Sequence, residues 1–224
     1  MFNSKYSNVL TVLLVIVIIA IIALIAFLGY DMYRKYYIDK DAEDFMAQYE
    51  QQLNIVNTDV TKNEIGNTVP TVIDPVNQIE NNNSGGGRVS KKPTYKGFDV
   101  LGTIEIPKTG IKYPVLDRVT PKSIATSVAY YYGPGLNEVG NTVIVGHNYR
   151  SGAFFGKNKQ LKNGDIIYIT DNSGRKITYT IYNVYKTTET DADYITRDTK
   201  GAREISLSTC TDDSKGRLII WAKE

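Results

Sequence analysis

The sequence predicts a mostly β domain, a closed barrel or a sandwich with short helices, carried behind an N-terminal transmembrane helix and a flexible tether. Three observations predict it. Residues 97–224 hold seven short β-type runs separated by turn residues, a count and spacing that suit a closed or double-layered β architecture. Residues 9–29 are a 21-residue run without a charge. Between these two regions the chain turns polar and aperiodic, and it includes Asn81-Asn82-Asn83-Ser84-Gly85-Gly86-Gly87.

Residues 1–8 form a short tail. The apolar run at 9–29, mostly Val, Ile, Leu and Ala, has about the length that crosses a bilayer as a helix. It exceeds the usual apolar core of a secretory signal, and Tyr30-Asp31-Met32-Tyr33 after it offer no small-residue cleavage site. An uncleaved signal-anchor is therefore expected. Tyr30, Tyr33, Tyr36 and Tyr37 suit an interfacial aromatic belt. Only Lys5 precedes the span while Arg34, Lys35 and Lys40 follow it, so charge alone leans toward a cytoplasmic C-terminal domain.

Residues 30–56 are expected to be a juxtamembrane helix. Phe45, Met46, Tyr49, Leu53 and Val56 recur at helical spacing, and the acids at 41–44 suit a helix start. The stripe could face the C-terminal domain, another copy or lipid. Residues 57–96 read as the tether, since a polar, glycine-rich stretch cannot bury enough apolar surface to fold.

Residues 97–224 are one ordinary domain in size. Strands are expected at 100–106, 111–116, 142–145, 165–170, 176–186, 204–209 and 218–223, with a short helix at 121–128. Asp171-Asn172-Ser173-Gly174 is a hairpin turn. Tyr130-Tyr131-Tyr132 is read as strand and rim packing in preference to a peptide groove. A net charge of +2, from 26 basic and 24 acidic residues, gives no case for nucleic acid. One cysteine and one histidine exclude an internal disulfide and the usual zinc set.

That scarcity also narrows the chemistry. If a thiol and an imidazole act together, they are Cys210 and His147. Each taken singly also fits a structural reading, since unpaired cysteine is among the most buried residue types. The segments 204–209 and 217–222 read as antiparallel strands around the turn-rich stretch 211–216, which makes Cys210 and Arg217 cross-strand neighbours in the simplest register. An arginine cannot serve as acid or base. Beside a thiol it can stabilise negative charge on sulfur or on a developing oxyanion. His147 follows the β-branched run 141–145 and Gly146, where a strand gives way to a loop, a usual place for reactive groups.

Leu207-Ser208-Thr209-Cys210, Val145-Gly146-His147-Asn148 and Arg217, in that order, resemble the signature of the sortase family. The resemblance covers about residues 97–224 and selects the barrel over the sandwich. It implies a membrane-anchored cysteine transpeptidase of Gram-positive surfaces that cleaves a C-terminal sorting motif of secreted proteins and joins the new carboxyl end to an amine of peptidoglycan or its lipid-linked precursor. By the same resemblance Cys210 is the nucleophile, His147 the general acid and base, and Arg217 the oxyanion or substrate-positioning group. Thr209, Leu207 and Asn148 are placed at the substrate, and the catalytic domain is placed outside the cell, against the charge count.

The resemblance implies no cofactor, although some sortases bind calcium. Glu189, Asp191 and Asp193 offer hard oxygen ligands, but a solvated acidic loop is the simpler reading. The subclass stays open among class D-like, class B and class A-like. The segment 187–203 is short for a class B insertion, while residues 146–155 have a class B flavour. The absence of a second apolar span and of an evident lid argues against a pilus-polymerising member. Two other functions use the same residues differently: a membrane-anchored cysteine hydrolase, and a non-catalytic β-barrel binding module.

Overall fold

The computed structural model describes residues 4–64 and 92–224. A single helix, α1 (Ser4–Glu64), leads into nine strands: β1 (Thr94–Tyr95), β2 (Phe98–Ile106), β3 (Ile111–Leu116), β4 (Val128–Tyr132), β5 (Gly140–Val145), β6 (Ile166–Asp171), β7 (Lys176–Thr188), β8 (Arg203–Cys210) and β9 (Gly216–Lys223). A short helix, α2 (Pro121–Thr126), lies between β3 and β4. The sheet runs β1-β2-β3-β4-β5-β8-β9-β7-β6, and β6 pairs back onto β2 through Thr103↔Thr170 and Ile104↔Ile169. Eight strands thereby close a barrel, and closure removes the sheet edges. β1 is a short appendage on β2.

Period-two alternation fills the interior. Ile104 and Ile106 on β2, Ile167 and Ile169 on β6, Ile205 and Leu207 on β8, and Ile220 on β9 are all within one core cluster. The hairpin at Asp171 forms as expected. Burial pushes the Asp171 carboxyl up, but bonds from the Ser173 hydroxyl, the Arg175 guanidinium at 2.9 Å, the Asn137 side-chain amide at 3.1 Å and the Ser173 backbone amide outweigh it and hold the group below the ordinary carboxylate range. β4 was not among the seven expected runs, although its tyrosines were read as strand and rim packing. Its three tyrosines are followed immediately by Gly133-Pro134-Gly135, and its ladder with β5 is irregular between Tyr130 and Tyr132.

α2 starts on a capping box: the Ser123 amide donates to Thr120 Oγ1 and the Thr120 amide to Ser123 Oγ. It ends at Thr126, earlier than the expected residue 128, because Ser127 is already extended and its hydroxyl donates to the Pro114 carbonyl.

α1 is continuous, so the apolar span and the juxtamembrane helix are one element. The apolar span is exposed along its whole length and is long enough to cross a membrane. Beyond it, Ala42, Met46 and Tyr49 are buried, Ile38 and Phe45 pack beside them, and the Phe45 ring lies 5.1 Å from that of Tyr95. The stripe therefore packs on the barrel. Its last expected member, Val56, lies outside the described side chains.

The expected tether at 57–96 is shortened from both ends. Helix continues to Glu64, and strand pairing begins at Thr94, three residues before the expected domain start. Backbone pairing with β2 accounts for the second difference. Residues 65–91, with the Asn-Gly stretch, and residues 1–3 of the tail lie outside the described residues.

Candidate active site

Three strands bring three side chains to one end of the barrel. β5 and β8 are parallel, with Val145 opposite Ser208. Two residues further along each strand direction come His147 and Cys210, of matching parity and therefore on the same face. Gly146 N donates to Ser208 O at 3.2 Å, carrying the pairing past the strand end. On the other side β9 is antiparallel to β8 and pairs Arg217 with Cys210. His147, Cys210 and Arg217 form a row with the thiol in the middle.

The contacts fix that row. Arg217 Nη1 lies 3.5 Å from Cys210 Sγ and also donates to the Gly216 carbonyl at 3.3 Å. Asn148 Nδ2 donates to the Cys210 carbonyl at 2.9 Å and to Asp212 at 3.0 Å, so the histidine loop is pinned to the cysteine strand. Thr209 Oγ1 donates to the Gly146 carbonyl at 2.7 Å. Gly146 is required by packing, since a Cβ there would lie 2.9 Å from both Phe155 Cδ2 and Val128 Cγ1. The His147 ring sits 5.1 Å from that of Tyr149, which packs on Phe154 and lies beneath the Arg34 guanidinium of α1, 4.7 Å from the ring centre. Burial, and after it the Arg34 charge, hold the imidazole below its ordinary value.

All three side chains line one open cleft of about 400 Å³. Val119 and Ile124, before and on α2, and Tyr131 on β4 form part of its lining, and the β7–β8 loop supplies Glu189, Thr190, Asp191, Ala192, Tyr194 and Ile195. That loop is fastened from behind. Asn141 Nδ2 donates to the carbonyls of Tyr194 and Ile195 at 2.9 and 3.0 Å, and Arg197 pairs with Glu204. A cleft of mixed apolar and polar lining, with a thiol, an imidazole and a guanidinium along it, can bind a peptide, form an acyl-sulfur bond and move a proton.

The sortase-domain family model matches residues 104–224, more than half of the chain. The chain belongs to the sortase family. It is 30% identical over 124 residues to sortase A of Bacillus anthracis, an alignment covering 54% of this chain, so that it spans only 58% of that relative's length. Among solved structures it resembles a lid mutant of sortase A from Corynebacterium diphtheriae, with a TM-score of 0.52 at 23% identity, covering 56% of this chain and 70% of that one. It also resembles sortase C-1 from Actinomyces oris, with a TM-score of 0.51 at 23% identity, covering 56% and 72%. The last two likenesses bear on the fold alone, and the fold they share is the closed β-barrel.

Within this sortase fold the expected substrate residues separate. Thr209 lines the cleft. Leu207 does not, because its parity on β8 turns it into the barrel core, where it is fully buried; Ser206, Ser208 and Cys210 take the other face. Asn148 is not in the cleft lining either, and its amide N–H groups are spent on Cys210 and Asp212. It is a strut between the loop after β5 and the end of β8.

The residues that sequence reasoning missed are Val119, Ile124, Ala192, Tyr194 and Ile195, together with Tyr131, read there as rim packing. Only Tyr131 carried a signal, in its run of three tyrosines. Asp191 is engaged locally by the Thr187 hydroxyl and the Asp193 amide. Among the described residues no three His, Cys, Asp or Glu side chains converge into a metal-holding group.

Proposed function

We propose that this protein is a membrane-anchored cysteine transpeptidase that cleaves a C-terminal sorting motif of secreted proteins and passes the acyl group to an amine of peptidoglycan or of its lipid-linked precursor, with the barrel outside the cell. The observation that carries the reading is the row of His147, Cys210 and Arg217 along one cleft. The Cys210 thiolate attacks the scissile carbonyl carbon, and Arg217, beside the sulfur, is placed to hold the negative charge that develops on the carbonyl oxygen. The carbon–nitrogen bond then breaks as His147 protonates the leaving amine, and a thioester remains. An incoming amine attacks that thioester and gives its proton to His147, and the thiolate departs. The thioester keeps most of the energy of the cleaved amide, so no nucleotide is needed.

The apolar span at 9–29 supports single-pass anchoring. The test is mass spectrometry of the full chain in detergent with a panel of sorting-motif peptides and triglycine, beside Cys210→Ala. Triglycine joined to the new carboxyl end in the wild type alone supports the reading. Release of free acid that ignores triglycine would make it a hydrolase instead, and binding retained by Cys210→Ala without turnover of any peptide by the wild type would make it a binding module.

A further inference from the structure

The barrel does not stand off from α1. It is docked along α1 itself. The apolar stripe Ile38, Ala42, Phe45, Met46 and Tyr49 packs on the barrel, and the polar contacts Asp39 to Tyr113, Tyr49 Oη to Asn172 at 2.7 Å and Glu50 to Lys112 at 3.0 Å fix the register. The Glu50–Lys112 pair is exposed and adds little strength, so the apolar stripe supplies most of it.

At the lower end Arg34 Nη2 donates to the Tyr149 hydroxyl at 3.3 Å, and the Tyr149 ring flanks His147. Arg34 is five residues beyond Gly29, the last residue of the apolar span, which is a rise of about 8 Å. No proline falls between residues 4 and 64 to bend the helix.

Resting on the reading of residues 9–29 as a membrane span and Cys210 as a transpeptidase nucleophile, we propose that α1 is a ruler. It holds the cleft at a fixed height near the lipid surface, and so selects membrane-embedded polypeptides whose sorting motif lies within a few residues of the bilayer.

The first arm of the test needs no turnover. Cys210 is the chain's one cysteine, so a thiol-reactive fluorophore on it reports height by energy transfer to headgroup-labelled lipid in vesicles holding the full chain. Inserting seven helix-forming residues between Gly29 and Tyr30 raises the barrel by roughly 10 Å and turns it by only about 20°, leaving the docked face intact. The wild type should show strong transfer, the insertion variant clearly weaker transfer, and Met46→Glu, which disrupts docking, a broadened distribution. Equal transfer in the wild type and the insertion variant would overturn the ruler, whatever the enzyme's activity.

The second arm uses the motif returned by the peptide panel, placed on a transmembrane anchor behind stiff proline-rich spacers of 2 to about 20 residues, at about 3.1 Å per residue. The wild type should favour short spacers several-fold, and the insertion variant should shift the optimum outward by about three residues with the rate on soluble peptide unchanged. A flat spacer profile, or the same optimum in both proteins, would overturn the proposal. Loss of all transpeptidation with height differences intact would instead sink the functional reading.

Discussion

Arg197→Met tests what holds the β7–β8 loop over the cleft. Arg197 lies in that loop, and its side chain is buried against Glu204 of β8, with 12% and 10% of the two side chains exposed. Its guanidinium also donates to the Tyr182 hydroxyl at 2.8 Å and to Asn141 Oδ1 at 3.0 Å, and stacks 4.6 Å over the Trp221 ring. The Tyr182 hydroxyl in turn donates to Glu204 at 2.6 Å, and burial followed by that bond pushes its pKa up to about 12.

Methionine in place of Arg197 keeps most of the packing but leaves a carboxylate buried without its cation, a loss of about 3–5 kcal/mol. Total stabilities of about 5–15 kcal/mol make that severe. Arg197→Met combined with Glu204→Leu removes both charges, and the remaining deficit should fall to about 1–2 kcal/mol for the Tyr182 and Asn141 groups left short of partners. Trp221 is the chain's one tryptophan and touches the guanidinium, so urea unfolding followed by its fluorescence reports at the site. A cost under about 1 kcal/mol for the single variant, or a double variant as damaged as the single, would refute the reasoning.

The remaining expectations concern the row of His147, Cys210 and Arg217 and the residues that brace it. The chain has one histidine, so its imidazole resonance titrates alone. The midpoint should fall below the ordinary 6.5, and Arg34→Met should move it upward, since burial is the larger cause and the Arg34 charge the second; a wild-type midpoint at or above 6.5 would contradict the structure. Because the folded value is depressed, stability is full above the ordinary histidine range and is lost as pH falls through the depressed value, which acid unfolding of the wild type beside His147→Gln checks. Gly146→Ala meets Phe155 and Val128, both buried, and should cost about 1–3 kcal/mol in denaturant unfolding while lowering kcat. Asn148→Ala should lower kcat roughly tenfold, the equivalent of one hydrogen bond of about 1.4 kcal/mol, with KM little changed because the residue stays out of the cleft; a change confined to KM would restore its expected role at the substrate.

The parts of this site that were legible in the sequence are those fixed by local pattern. The pairing of Cys210 with Arg217 follows from two alternating runs and one turn, and the register agrees. The adjacency of His147 to Cys210 does not follow from any local pattern, because it depends on a parallel pairing between strands more than sixty residues apart. The same long-range assembly brings Val119 and Ile124 to the cleft. Leu207 shows the opposite failure. Its assignment to the substrate came from the motif as a whole, whereas alternation along β8 puts it on the face opposite Cys210. For α1, helical spacing showed the stripe and was silent on its partner, since an apolar stripe serves a barrel, a second helix or a lipid surface equally well.

The parity of β8 also explains how one strand serves stability and chemistry together. Ile205 and Leu207 point into the barrel, while Ser206, Ser208 and Cys210 face the β7–β8 loop. Small polar side chains on that face let the loop lie close: Ser206 donates to Asn141 Oδ1 at 2.8 Å, and Asn141 in turn holds the Tyr194 and Ile195 carbonyls. At the end of the strand the loop no longer covers the face fully, and Cys210 is half-buried there. The Cys210 thiol thus sits where the polar face of β8 emerges from beneath its cover, flanked by His147 after β5 and Arg217 on β9, and β5 and β9 are the two strands that pair with β8.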